Sequence, residues 1–146
     1  MTEGANDLRG EVDIVLDGQQ FVLRPSYTAI IAMEKKTGRS LLDLATLSEQ
    51  VLLPQEAQAI VVTELVRAWG RGIVLNEYSS AEEKASATAA KGANADSMGE
   101  LLYSVGAMAV QPRVAIVLGM ALTGGCLPSG EAKPTETKTP EIPVGE

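Results

Sequence analysis

The chain of 146 residues contains no histidine and a single cysteine, Cys126. Without histidine, neither a Ser-His-Asp nor a Cys-His nucleophilic arrangement can be built, nor a histidine-ligated zinc or haem site. One cysteine can neither close an internal disulfide nor furnish a thiolate metal cage. Cys126 is therefore expected to be an inert thiol in a reducing compartment. Neither a phosphate-binding P-loop nor a dinucleotide-binding glycine turn occurs. Aromatic residues are only 3% of the chain against 45% hydrophobic residues, so the core must be built from Leu, Val, Ile, Ala and Met. Positive charge is short: 12 Lys and Arg face 19 Asp and Glu, a net charge of −7. That balance argues against a broad nucleic-acid footprint and against adsorption to an anionic membrane. The start, MTEGANDLRG, has neither a basic cluster nor an apolar run, so no secretory signal is expected. Nothing in the spacing of carboxylates or lysines recommends catalysis, and the expectation is a binding protein rather than an enzyme, with no cofactor.

What is present begins with two alternating runs flanking Asp17-Gly18, a dipeptide that suits positive φ at both central positions of a type I′ hairpin turn. A two-residue turn pairs Leu16 with Gln19, Ile14 with Phe21 and Val12 with Leu23 on one face. Val15 with Gln20, Asp13 with Val22 and Glu11 with Arg24 fall on the other. The first face is the one expected to bury. A one-residue slip would expose Val12 and Ile14, so burial decides the register, with the Glu11–Arg24 pair adding about 0.2–1 kcal/mol. A two-stranded ribbon is marginal alone and must lean on helices or another chain.

Helix signals follow. Pro25-Ser26 opens a helix carrying Tyr27, Ile30 and Ile31, and Gly38 suits a left-handed cap after Lys35 and Lys36. Ser40 with Asp43 reads as the N-cap of a second helix. Pro54 suits the first turn of a third, whose stripe of Ala57, Ile60, Val61, Leu65, Ala68 and Trp69 ends at Gly70 and Gly72. Ser80 with Glu83 matches a capping box before an alanine-rich segment closed by Gly92. No large apolar residue occurs from Ala81 to Ala95, so the weakest docking is expected there, a solvated linker helix. Ser97 with Glu100 suggests another capped helix, and Pro112 is expected to break the run and start the last one, ahead of Gly124-Gly125. The stretch Val105–Leu122 has the length of a membrane span, but Gln111, Pro112 and Arg113 at its midpoint oppose insertion.

The expected fold is α+β, mainly α: an N-terminal antiparallel hairpin followed by a bundle of about five short helices. Residues 1–9 are expected to be flexible, 10–125 to form one domain, and 126–146, rich in Pro, Thr and Glu, to be a disordered tail.

Candidate contact residues are few. Trp69 between Arg67 and Arg71 has the form of a nucleic-acid stacking platform, but the overall charge favours the end of a core stripe. Asp13 and Asp17 match no calcium-loop spacing. Glu34 is placed to cap or bridge to a neighbouring helix. Val15 and Val22, on the hairpin face expected to be outer, are candidates for contact with another chain by strand addition. With Tyr27, Ile31 and Trp69 they form the candidate partner-binding set.

The pattern Gly10-Glu11, Asp17-Gly18, Leu23-Arg24-Pro25-Ser26-Tyr27, Ala29, Glu34, Gly38 and Ser40-Leu41 resembles the phage tail assembly chaperones of the gene-transfer-agent type. The resemblance covers residues 9–50, and extends less specifically over 54–72 and 97–125. The alanine-rich segment and the C-terminal tail depart from it. The resemblance implies a small non-enzymatic protein of the host cytoplasm that binds the tape-measure and tail-tube proteins, with self-association possible and neither nucleic acid nor membrane as a partner. It carries over no catalytic residue. Gly10, Glu11, Asp17, Gly18, Arg24, Glu34, Gly38 and Ser40 then read as fold determinants. The alternative is a small structural head–tail or tail-completion protein of the virion, and an antitoxin-like adaptor comes third.

Overall fold

A computed structural model describes residues 11–73 and 75–123. Two strands, β1 (Val12–Leu16) and β2 (Gln19–Leu23), precede six helices among the described residues. These are α1 (Tyr27–Thr37), α2 (Leu41–Glu49), α3 (Gln55–Gly72), α4 (Ala81–Lys91), α5 (Ala95–Val105) and α6 (Ala107–Leu122). The fold is mainly α with a small sheet, and it has one helix more than expected. Gly10, Cys126 and the tail from 126 lie outside the described residues.

The hairpin has the register that a two-residue turn dictates, with Val12 opposite Leu23, Ile14 opposite Phe21 and Leu16 opposite Gln19. Asp17 and Gly18 occupy the turn at φ 51° and 79°, the left-handed values a type I′ turn requires. Ile14, Leu16 and Leu23 are buried, as the first face should be. The second face departs from expectation. Val22 is only 2% exposed and Glu11 3%, because α3 lies along β2 and covers that side. The Arg24 N–H reaches the Leu65 carbonyl at 3.1 Å, fastening the end of β2 to the middle of α3.

The connection between α1 and α2 is built by three signature residues. Gly38 turns the chain at φ 71°, and its N–H bonds the Glu34 carbonyl at 2.9 Å. Ser40 Oγ accepts the Asp43 N–H at 3.1 Å, and Glu34 Oε2 accepts the Leu41 N–H at 2.8 Å. Two orphan donors of the α2 N-terminus are thereby satisfied. Glu34 caps a neighbouring helix, as its position allowed. At the other end of α2 the Leu52 N–H bonds the Leu47 carbonyl at 2.8 Å and the Val51 N–H bonds the Ser48 carbonyl at 3.1 Å. That is a Schellman closure with valine, at φ 57°, in the place glycine usually takes.

Helix α3 is the hub, with α1, α4, α5 and β2 all packed on it, while α2 packs on α6. Leu65, Val61, Val62 and Val66 are fully buried or nearly so, as are Leu44, Leu102 and Leu118 around them. Each such side chain contributes about 1.5–3 kcal/mol by leaving water.

Helix α3 ends at Gly72, within the glycine pair expected to close it, and Gly70 lies inside its last turn. Two other boundaries, the starts of α5 and α6, differ from the sequence expectation. An added Cβ on Gly70 would sit 2.7 Å from the Lys91 backbone nitrogen and 2.8 Å from the Ala90 Cβ, and one on Gly72 would collide with the Arg24 guanidinium. Gly70 is a packing residue, since it meets the backbone of α4, whereas Gly72 meets only the movable end of the Arg24 side chain. The alanine-rich α4 is correspondingly docked hard against α3, with Ala87 0% and Ala90 5% exposed. Small side chains here supply close approach rather than apolar bulk. Helix α5 begins at Ala95, because Asn94 accepts the Ser97 N–H at 2.9 Å and captures the N-cap role from Ser97. Helix α6 begins at Ala107, after Gly106 breaks the chain at φ 101°, and Pro112 lies inside it. Pro112 removes the donor that would serve the Met108 carbonyl, and Met108 is 79% exposed, so water can take that place. No single described helix is long and apolar enough to cross a membrane, and α5 and α6 are bent by 120° at their junction.

Candidate protein-interaction surface

Two clefts flank α3. The first, of about 340 Å³, lies between β2 and α4. Gln19, Gln20, Phe21 and Val22 form one wall, Val66 and Trp69 the floor, and Ser86, Ala89 and Ala90 the other wall. Every lining residue is uncharged. The structure brings Val22 and Trp69, two of the five candidate contact residues, into this one cleft. Val22 is nevertheless buried, so it is a wall of the fold and not a free edge for strand addition. Val15, directly opposite Gln20 in the hairpin, is 59% exposed beside it. Trp69 is half-buried against the core, as the stripe reading required.

Tyr27 and Ile31 stand elsewhere, one turn apart on α1, lining neither cleft. Tyr27 is the exposed first residue of the helix and Ile31 is half-buried. Arg67 does not frame Trp69 for a nucleic acid. Its Nε donates to the Ala93 carbonyl at 2.6 Å and its Nη1 to Glu64 Oε2 at 3.3 Å. Glu64, buried in α3, also receives Lys36 Nζ at 2.7 Å. Two cations from α1 and α3 thus converge on one buried carboxylate, the arrangement that makes such burial tolerable. Arg24 stands 3.9 Å from the buried Glu11, the cross-strand pair expected from the register. The Asp13 carboxylate accepts the Gln20 amide at 2.9 Å, and its carbonyl accepts Arg113 Nη1 at 3.0 Å, which closes the outer edge of β1 there. No group of three potential metal-ligating side chains occurs among the described residues.

The second cleft, of about 600 Å³, runs between the first turns of α3 and the length of α5. It is lined by Gln55, Glu56, Ala59 and Ile60 from α3 and by Ala95, Asp96, Gly99, Glu100 and Tyr103 from α5. Sequence reasoning missed it. Its floor is alanine and glycine at four-residue spacing, which in sequence looks like helix filler.

No family model, no curated protein and no solved structure matches the chain. The surface must be read from its own chemistry. Beyond the clefts, Leu42, Leu52, Met108 and Ile116 are all more than half exposed. Large apolar side chains are thus left in solvent on α2 and α6 and in the turn after α2.

Proposed function

We propose that the protein is a non-enzymatic tail assembly chaperone of phage, prophage or gene-transfer-agent type. In this reading it works in the host cytoplasm, binds the tape-measure protein and assists assembly of the tail tube. The observation that carries the binding role is the openness of α3. The most buried helix of the fold has a cleft on each flank, with Val15 exposed beside the first and Tyr103 exposed at the second. Surfaces of this kind mark sites that hold other polypeptides. Several weak, adaptable contacts of Ala, Val, Leu and Met along a long helical partner add up through avidity. The acidic charge of −7 helps keep such an assembly soluble.

The assignment to tail assembly rests on the resemblance over residues 9–50. Asp17 and Gly18 form the hairpin turn, and Glu34, Gly38 and Ser40 form the α1–α2 connection, so the shared signature has a physical job in this chain. Co-expression with the candidate tape-measure protein tests the reading. A soluble complex that co-purifies is expected; a tape-measure protein equally soluble and unbound without this chain would end it. Mass spectrometry of purified particles should find the chain absent. Stoichiometric recovery would make it a structural component instead.

A further inference from the structure

The α3–α5 cleft carries features that specify what fits it. Both walls are α-helices; apart from the first-turn N–H groups at the ends of α3 and α5, their backbone is bonded internally, so the cleft offers no continuous strand edge of alternating N–H and C=O groups to an extended chain. A helix, which satisfies its own backbone, suits such a cleft. The floor permits one to come close: Ala59 and Gly99 meet there, and an added Cβ on Gly99 would lie in ordinary contact at 3.5 Å from the Ala59 Cβ. The rim is of one sign. Glu56, Asp96 and Glu100 line it with no lysine or arginine among the lining residues, and no described cation pairs with any of the three. In contrast, the carboxylates of Glu11 and Glu64 are matched to arginine or lysine. A second copy of this chain, at −7, is poorly suited to such a rim.

We propose that the α3–α5 groove is a docking site for a basic amphipathic helix of a partner protein, with small residues seated on Ala59 and Gly99 and lysine or arginine facing Glu56, Asp96 and Glu100. Helix-in-groove recognition supplies the contact, and the charges supply register and association rate. The inference rests on the reading of the chain as a polypeptide binder, and names the chemistry of one of its surfaces.

The test uses the full chain and a synthetic alanine-rich helix of about 20 residues with lysine at four-residue spacing, the arrangement that keeps one face charged. In an NMR titration, amide shifts should concentrate at Ala59, Gly99, Glu100 and Tyr103. Affinity should fall as salt is raised from about 0.05 to 0.5 M, since the Debye length then shrinks below the reach of the rim charges. The triple substitution Glu56→Gln, Asp96→Asn, Glu100→Gln should weaken binding about tenfold or more, as expected for removal of charges that steer and hold. Gly99→Ala, whose methyl fits in ordinary contact with Ala59, should keep the melting temperature and weaken binding modestly, and Gly99→Leu should weaken it more, its melting curve showing whether α5 stays seated on α3. Shifts centred on another face, equal binding of the same peptide with glutamate for lysine, or no saturable binding would each overturn the groove assignment. If the tape-measure protein still co-purifies with the triple and Gly99→Leu variants, the groove fails and the chaperone reading stands. If it never co-purifies with the wild type, that reading fails on its own.

Discussion

Gly18 and Val51 both hold left-handed backbone, and they suit it oppositely. Gly18 at φ 79° has nothing within 4 Å of the place a Cβ would occupy, so any penalty there is conformational and not steric crowding from neighbours. Gly18→Val should therefore lower stability by about 1–2 kcal/mol, the cost of forcing a side chain into left-handed φ, while Gly18→Asn should cost much less. Thermal melts of the two variants check this, and equal melting would refute the turn. Val51 presents the reverse case: a β-branched residue at φ 57° closes α2 where glycine or asparagine is at ease. Val51→Asn should raise the melting temperature, by relief of up to about 1–2 kcal/mol of backbone strain less the apolar burial it forfeits. A clear fall would mean that the packing of Val51 outweighs its conformation.

At the scale of elements, the same substitution should act with opposite sign in two helices. Gly119 in α6 has open space where a Cβ would go, so Gly119→Ala should stabilise by about 0.5–1 kcal/mol through helix propensity alone. Gly70→Ala gains the same propensity but drives a methyl into Ala90 and the Lys91 backbone of α4. It should destabilise by about 1–3 kcal/mol, the usual range for overpacking. Urea denaturation of the pair decides; stabilisation at both sites would show that α4 is not seated on α3. This contrast explains what was legible in the chain. The hairpin register and the caps at Ser26, Gly38, Ser40 and Ser80 depend on contacts within a few residues, and sequence displays those directly. The docking of α4 depends on how closely two helices approach, and an alanine tract looks the same whether it is solvated or pressed against a glycine. Asn94 and Ser97 are both good caps, three residues apart, and only the path of the chain after α4 chooses between them. At the Trp69 cleft the lone tryptophan stands out in sequence, but the burial of Val22 comes from α3 packing along β2, which the alternating pattern of a strand does not display. The α3–α5 groove left no signal beyond small residues and scattered carboxylates.

At the scale of the whole molecule, one buried amide joins segments far apart in sequence. Gln111, 1% exposed, donates to the Leu53 carbonyl at 2.9 Å and to Gln58 Oε1 at 2.8 Å, and its own oxygen accepts the Leu53 N–H at 3.0 Å. In effect the side chain pairs with the Leu53 backbone as a neighbouring strand would. It clamps the turn between α2 and α3 to α6, and so couples the α2–α6 layer to the helices around α3. Gln111→Leu keeps the bulk but strands the Leu53 donor and acceptor and the Gln58 amide in an apolar setting, at about 1–3 kcal/mol for each buried group left without a partner. A loss of at least about 2 kcal/mol is therefore expected. Trp69, the single tryptophan, reports on α3 and the hairpin, while far-ultraviolet circular dichroism reports on all the helices. Both probes should move to lower urea together and with unchanged slope, since α1, α4, α5 and β2 all pack on α3, the clamp ties the α2–α6 layer to them, and a domain of this size unfolds as one unit. If the tryptophan transition stays in place while part of the helical signal is lost early, the clamp secures only α6, and the two layers are independent rather than joined through Gln111.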